Sequence, residues 1–463
     1  MAEIREPEVE KVPIPQSEPL CRVGLCLEED GKTAMTMKLS AGKYRFTTGA
    51  TSLEIASDGV REITVSVRGN TLALNEGGKP IPVENADSVR VDPPSETCVL
   101  HPGDGITLRG VVAGRGFHWQ KEVDLVFPGR LEFFCVDGRL VVVNVLPMEI
   151  YLACVVTSEM SAACPPEFIK AQATAARSWM LVFLKNKHIG RPYTICNDDC
   201  CQRYQGSTFL SEEVARAVTD CSGMCLMTKD DFVCGAYYSK SCGGIMEQAE
   251  NIFGRSAVGL SASPDAPEGT PTAAFNPVNE GNIREWLTGP IAASADSFCS
   301  PSVCHEETLP RYLGAVDEAG RYFRWKVVYT QEELTGYLKT KAGIQDIAEF
   351  LDFRSLWRGN SGRIHELEVR YRTPGGQEKA YVISTQYAIR NALHVKFLFS
   401  SAFVWDYEKD AAGRVAKVIL QGGGWGHGVG FCQIGALGMS LKGYTYDKIL
   451  KHYFGGTHLV KAY

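Results

Sequence analysis

The sequence predicts an α+β fold: a β-rich N-terminal region, then a mixed core whose helices cluster around residues 147–186 and at the C-terminus. Three patterns predict it. Short alternating apolar and polar runs fill residues 20–145, separated by Asp, Gly, Pro and Asn. At Pro147 the alternation gives way to helical spacing. Further strand-like runs then lead into a glycine-rich ribbon and a final helix.

In chain order, residues 1–19 are rich in Glu and Pro, lack the apolar stretch of a signal peptide, and read as a flexible leader. TSLEIA, REITVSVRG, TLALNE, DSVRVD, ITLRGVV and VDLVF make residues 20–125 a β-rich N-terminal domain. Leu131 to Leu146 reads as a hairpin turning at Asp137-Gly138. MEIYLACVVTSEM suits a short helix, and Pro165-Pro166 opens a longer one, since proline fits a first helical turn. Residues 255–305, rich in Ala, Pro, Gly and Ser, look like a surface insertion, and the wider insertion spans about 255–350. Phe323–Thr330 is a strand and Thr330 the N-cap of the following helix. HELEVRYR, KAYVIS, FVWDYE and RVAKVILQ are strands, and YDKILKHYF is a helix stopped by Gly455-Gly456.

Composition narrows the function. A net charge of −6 argues against a nucleic-acid binder, and no apolar run reaches the ~18 residues of a membrane helix. The sixteen cysteines are scattered, without a Cys-x-x-Cys, which weakens an intracellular redox or metal-protein reading. Cys98, Cys135 and Cys154 sit in apolar runs as core residues.

Three stretches carry chemistry. In GWGHGVGFCQIGALGM, Trp425 and His427 stand on a ribbon of glycines. Bare backbone permits close approach of another molecule, and an indole there suits stacking on a sugar ring; the alternative is a tight turn with a packing histidine. In TSEMSAACPPE, Glu159 ends a predicted helix, where the dipole and apolar neighbours disfavour its charge and suit it to general acid work; the alternative is a solvated terminal glutamate. Glu149 and Glu167 nearby look structural. In HIGRPYTICNDDCCQRYQG, His188, Cys196, Cys200 and Cys201 are soft ligands suited to zinc, with a disulfide or free buried thiols as alternatives.

Four separated blocks resemble the stage II sporulation protein D family, which includes the amidase-enhancer proteins of bacterial cell walls. They are VNVLPMEIYLACVVTSEMSAACPPEFIKAQATAARSW, CNDDCCQRYQG, AYYSKSCGGIMEQAENIFG, and the ribbon with YDKILKHYFGGT. They extend at intervals over about 125–463, so the resemblance makes 126–463 the catalytic region with a groove. It implies a lytic transglycosylase acting on peptidoglycan, with Glu159 as its catalytic residue. One carboxyl protonates the glycosidic oxygen and then takes the proton of the muramic acid C6 hydroxyl, leaving a 1,6-anhydro sugar. No second carboxylate is required, in contrast to paired-carboxylate hydrolysis.

The resemblance also implies groove residues: Trp425, His427, Gln433, Gln202 and Tyr204, with Tyr238, Ser239 and Ser241 as further candidates. Arg177 either holds a substrate carboxylate or braces the fold. Some family members bind zinc near the cysteine cluster, which implies one structural zinc and none for the chemistry. Cys432 stands where the family usually carries Ser, and Cys200 where zinc-binding members carry His. The implied setting is the cell envelope, with an export signal or anchor outside this chain. The implied partners are glycan strands and, in the non-catalytic alternative, an amidase that the protein stimulates.

Overall fold

The computed structural model describes residues 11–94, 101–116, 120–254, 257–270, 280–289, 296–315, 317 and 320–463. Residues 1–10 of the expected leader, Cys98 and parts of the expected insertion lie outside them. Twelve strands come first: β1 (Leu20–Cys26), β2 (Ala34–Leu39), β3 (Gly42–Thr48), β4 (Thr51–Ser57), β5 (Arg61–Arg68), β6 (Thr71–Glu76), β7 (Lys79–Ala86), β8 (Ser88–Asp92), β9 (Ile106–Ala113), β10 (Lys121–Phe127), β11 (Arg130–Val136) and β12 (Arg139–Pro147). The β11–β12 turn has Asp137 and Gly138 at φ of 48° and 73°, the paired left-handed conformation of a two-residue hairpin.

After β12 come helix α1 (Met148–Glu159), helix α2 (Pro166–Phe183), strand β13 (Ile195–Cys196), helix α3 (Glu212–Asp220), β14 (Met224–Met227) and β15 (Tyr238–Ser239). Ten of the twelve residues of α1 are buried, as suits a helix apolar on all sides. α2 begins on Pro166 and is buried along nearly its whole length.

A seven-stranded sheet has the order β13-β1-β12-β11-β8-β3-β4 and a six-stranded sheet the order β10-β9-β2-β5-β6-β7. The expected boundary at 125/126 runs through the larger sheet, because β1 pairs with β12 along its length and β8 pairs with β11. The β-rich region is therefore not a separate domain. One core extends from Cys21 and Met37 through Tyr151, Phe168 and Phe298 to Phe454. Residues 11–19 are tied down as well: Val233 N donates to Val12 O at 2.9 Å and Met148 N to Pro19 O at 3.0 Å. Cys154 lies in the core and Cys135 is half-buried.

A second core joins Trp325, Leu334, Phe350, Leu367, Ile389 and Leu420. It is built from β16 (Arg324–Thr330), β17 (Glu349–Arg358), β18 (Ile364–Arg372), β19 (Glu378–Ser384), β20 (Phe403–Lys409) and β21 (Val415–Gly423), with the helices Gln331–Lys341 and Gln386–Ala392. Thr330 and Glu333 form a capping box on the first of these helices. The extra lobe thus runs to about residue 420, beyond the expected end of the insertion. Nor is 255–305 merely surface, since Asp265, Ile283, Trp286, Phe298 and Cys299 are buried. The chain then returns to the first core through β22 (Phe431–Cys432), the helices Gln433–Leu441 and Tyr446–Tyr453, and β23 (His458–Lys461). Among the described residues no helix is long and apolar enough to cross a membrane.

Candidate active site

Glu159 is the last residue of α1 and keeps 8% of its surface exposed. The helix stops there because Met160 is extended, with φ −136° and ψ 162°, and bridges to Leu313. Glu159 Oε1 accepts two hydrogen bonds of 3.0 Å, from the Arg203 amide and the Tyr238 hydroxyl. Among the described residues nothing donates to Oε2. Lys240 Nζ donates to the Glu159 backbone carbonyl at 2.7 Å, which satisfies one of the orphan carbonyls at the helix end, and to Asp317 Oδ2 at 2.6 Å. Arg203 Nη1 holds the other Asp317 oxygen at 2.9 Å.

These contacts split the two carboxyl groups. Burial raises the Glu159 carboxyl above the ordinary range; Arg203 and Lys240 oppose this without cancelling it, and Asp199 adds to the rise. Burial also acts on Asp317, but there Lys240 and Arg203 win and hold the carboxyl low. One acid is kept protonated to higher pH and its neighbour stays ionised, a division suited to proton transfer.

Tyr238, in the two-residue strand β15, and Lys240, at the bend just after it, reach Glu159 together. Ser239 and Ser241 meet the glycine ribbon instead. Gly428 N donates to Ser239 Oγ at 3.2 Å, and Ser241 and Trp425 exchange backbone bonds of 3.0 and 2.8 Å. Gly424, Gly426, Gly428 and Gly430 have φ of 76°, 98°, 80° and 69°, the left-handed region that favours glycine. A Cβ on Gly428 would lie 2.4 Å from the Arg363 guanidinium carbon, and one on Gly430 2.4 Å from the Tyr237 carbonyl oxygen. The expected open floor is corrected accordingly: protein atoms lie against these glycines. The half-buried Trp425 stacks on Phe399 at 4.5 Å and packs against Tyr322 at 4.5 Å. His427, also half-buried, accepts from Val429 N through Nδ1 at 3.0 Å, and burial followed by Arg363 and Arg390 lowers its pKa to about 3. It is a neutral imidazole packed on Phe253 and Tyr237.

Of the expected groove residues, Tyr238 is the one that touches Glu159. Arg177 has no exposed side-chain surface and forks onto Glu149 at 2.8 and 2.5 Å, so it braces α1 against α2. Gln202 is buried, accepting from Tyr151 Oη at 3.1 Å and donating to Ala176 O at 3.2 Å. Tyr204 is buried between Tyr151 and Phe127 and donates to Asn144 at 2.6 Å. Gln433 donates to Gln172 at 3.3 Å inside the core. Sequence reasoning missed Arg203, Lys240 and Asp317. The first two lie inside quoted motifs, at the unassigned positions of QRYQG and SKSCGG; Asp317 has no sequence signal.

His188, Cys196, Cys200 and Cys201 do come together, with their ligand atoms all within 4.8 Å of one another. His188 Nε2 lies 3.3 Å from Cys201 Sγ and 3.9 Å from Cys200 Sγ, and Cys196 Sγ is 2.9 Å from Cys200 Sγ. Three sulfurs and one imidazole fit a tetrahedral structural zinc, and all the described cysteines are free thiols. The cluster stands directly before Gln202 and Arg203, so whatever fixes it also fixes the amide that binds Glu159.

Residues 136–227, which contain Glu159 and the cysteine cluster, match the family described as Stage II sporulation protein. Residues 273–430 match a Domain of unknown function (DUF8618), which overlaps the second lobe. The chain is similar to an uncharacterized protein of Brachyspira hyodysenteriae, 24% identical over 377 residues, covering 79% of this chain and 77% of that one. It is 27% identical over 319 residues to Stage II sporulation protein D of Bacillus subtilis, covering 68% and 75% of the two chains. Against the Amidase enhancer of Bacillus subtilis it is 26% identical over 314 residues, 66% of this chain and 39% of that one. With these matches spanning the Glu159 block, the chain carries a stage II sporulation protein domain and is similar to stage II sporulation protein D and to the amidase enhancer.

Proposed function

We propose that this protein is a lytic transglycosylase that cleaves the glycan strands of peptidoglycan, with Glu159 as its general acid and base. The family ties the chain to a cell-wall-related function. The observation that carries the finer reading is the asymmetry of the Glu159 carboxyl: Oε1 is pinned by Arg203 and Tyr238 while Oε2 has no donor among the described residues.

In the reading proposed, protonated Glu159 gives its proton to the glycosidic oxygen as the bond to the muramic acid C1 breaks. The resulting carboxylate is held by the two donors at Oε1, which favour the charged form. It then takes the proton of the C6 hydroxyl as that oxygen closes on C1. Glu159 returns to its starting state and the products carry one new alcohol and one anhydro end. Asp317 is a positioning residue, its two oxygens occupied by Lys240 and Arg203. The cysteine cluster would hold a zinc ion that pins the Arg203 segment, a structural role.

The test is the chemistry of the new ends. Purified wall glycan incubated with the protein should give 1,6-anhydromuramic acid termini by mass spectrometry; reducing termini carrying an added water would overturn the reading. The similarity to an amidase enhancer favours one alternative, a protein that binds glycan and stimulates a separate amidase. That alternative requires no new glycan ends at all.

A further inference from the structure

A second cluster of ligand-type side chains lies apart from Glu159 and from the first cysteines. Cys242, Asp265, Cys299 and Cys432 are all buried, and their ligand atoms all fall within 4.8 Å of one another. They come from four separate places: the segment after Lys240, two points in the 255–305 stretch, and the end of the glycine ribbon. Cys242 Sγ is 3.7 Å from Cys299 Sγ and 3.3 Å from Asp265 Oδ2. A tetrahedral zinc with Zn–S of about 2.3 Å sets neighbouring sulfurs about 3.8 Å apart. We propose that Cys242, Cys299, Cys432 and Asp265 form a second, buried zinc site.

Three further features of the surroundings support a bound cation. First, the sulfurs are surrounded by amide donors: Cys432 Sγ accepts from Cys242 N at 3.2 Å and Gly435 N at 3.3 Å, and Cys242 Sγ from Gly244 N at 3.4 Å. Such bonds favour thiolates, the form a metal requires. Second, Asp265 is oriented by one oxygen only. Oδ1 accepts from Tyr453 Oη at 2.8 Å and lies 3.3 Å from His452 Nε2, which leaves Oδ2 aimed at Cys242. An outer partner fixing a ligating carboxylate is the usual arrangement around a structural metal. Third, two guanidinium groups flank the cluster, from the buried Arg363 and the half-buried Arg324. Arg324 Nη1 donates to Gly243 O at 2.9 Å and Arg363 Nη1 to Cys242 O at 3.3 Å. Among the described residues the hydrogen-bond partners of Arg324 are backbone carbonyls, while its Nε and Arg363 Nη2 find none. Three thiolates and a carboxylate around Zn²⁺ carry a net charge of −2, opposite to that of two arginines.

The site would tie the segment bearing Tyr238 and Lys240 to the 255–305 stretch and to the N-terminus of helix Gln433–Leu441, where Cys432 is the cap. A cleft of about 300 Å³ is lined by Ala266 and Phe298, the chain neighbours of Asp265 and Cys299, and by His452. The proposal does not depend on the role of Glu159.

Native mass spectrometry of the full chain, purified in reducing buffer with added zinc, tests it. Cys432→Ser keeps a capping residue at that position and is the first variant; Cys299→Ser is the second. Each should carry one zinc fewer per chain than wild type, whether or not the first cluster is filled, and Cys196→Ser should leave this zinc in place. If either variant fails to fold, wild type and Cys196→Ser decide: the proposal expects a zinc ion on both and no mass deficit. Unchanged zinc content in Cys432→Ser or Cys299→Ser would overturn the assignment. So would a wild-type chain, or a Cys196→Ser variant, that carries no zinc, or a loss of two hydrogens that peptide mapping traces to a bond among Cys242, Cys299 and Cys432.

Discussion

Tyr238 Oη and the Arg203 amide converge on the same oxygen of Glu159, each at 3.0 Å. Both donors favour the carboxylate, so they partly offset the burial that raises this group. Protonated Glu159 is the acid, and activity should fall as pH rises through its raised pKa, above the ordinary carboxylate range. Tyr238→Phe removes one donor to the charged form and should move this alkaline limb upward. The limb should move by about one to two pH units, since a hydrogen bond to a charged group is worth roughly 1.5–3 kcal/mol. A pH profile of kcat/KM for both proteins checks it; a limb that stays in place contradicts the assigned contact.

Arg177 and Glu149 form a pair with the arginine wholly buried, and Glu149 also accepts from Gly223 N and Tyr463 Oη. Arg177→Met strands that carboxylate and should cost about 3–5 kcal/mol, the usual range for breaking a buried pair. The double variant with Glu149→Gln should recover part of the loss. Thermal melts with glycan-binding assays distinguish bracing from binding: affinity per folded molecule should not change.

The ribbon predicts a different pattern. Gly428→Val places a branched side chain at positive φ and against the buried Arg363 guanidinium, so it should chiefly lower the melting temperature. Trp425→Ala removes contacts with Phe399 and Tyr322 and should cost about 1–3 kcal/mol of stability, because the indole is half-buried. Melts and glycan-binding isotherms for both variants separate packing from binding; undiminished stability with lost affinity would restore the open-floor reading.

For the first cysteine cluster, thiolate-bound zinc contributes folding free energy, so a strong chelator should lower the melting temperature of freshly purified protein. Cys201→Ser should abolish that sensitivity at this site and reduce zinc by one equivalent. Elemental analysis that finds the same zinc content in wild type and Cys201→Ser would contradict it.

The sequence made legible what depends on local spacing. The Asp137-Gly138 turn, the two proline-led helices and the place of Glu159 at a helix end all follow from nearest-neighbour chemistry. The family blocks were readable for the same reason, since each is continuous. Contacts between blocks were not. Tyr238 and Lys240 lie two residues apart, but which carboxylate they meet depends on how their segment sits against α1. Gln202, Tyr204 and Gln433 look like exposed polar contacts in sequence, yet each finds a buried partner in another segment. Asp317 lies where no motif marks it. The domain boundary near 125 failed because β1 pairs with β12, a long-range pairing that alternation alone does not reveal.

The most direct test of the central claim compares wild type with Glu159→Gln on purified peptidoglycan glycan, with muropeptides read by mass spectrometry. The amide keeps the shape of the side chain and removes the transferable proton. Wild type should release anhydromuramic products, and Glu159→Gln should release none while melting and binding glycan as wild type does. Equal anhydro product from the two proteins would contradict the account.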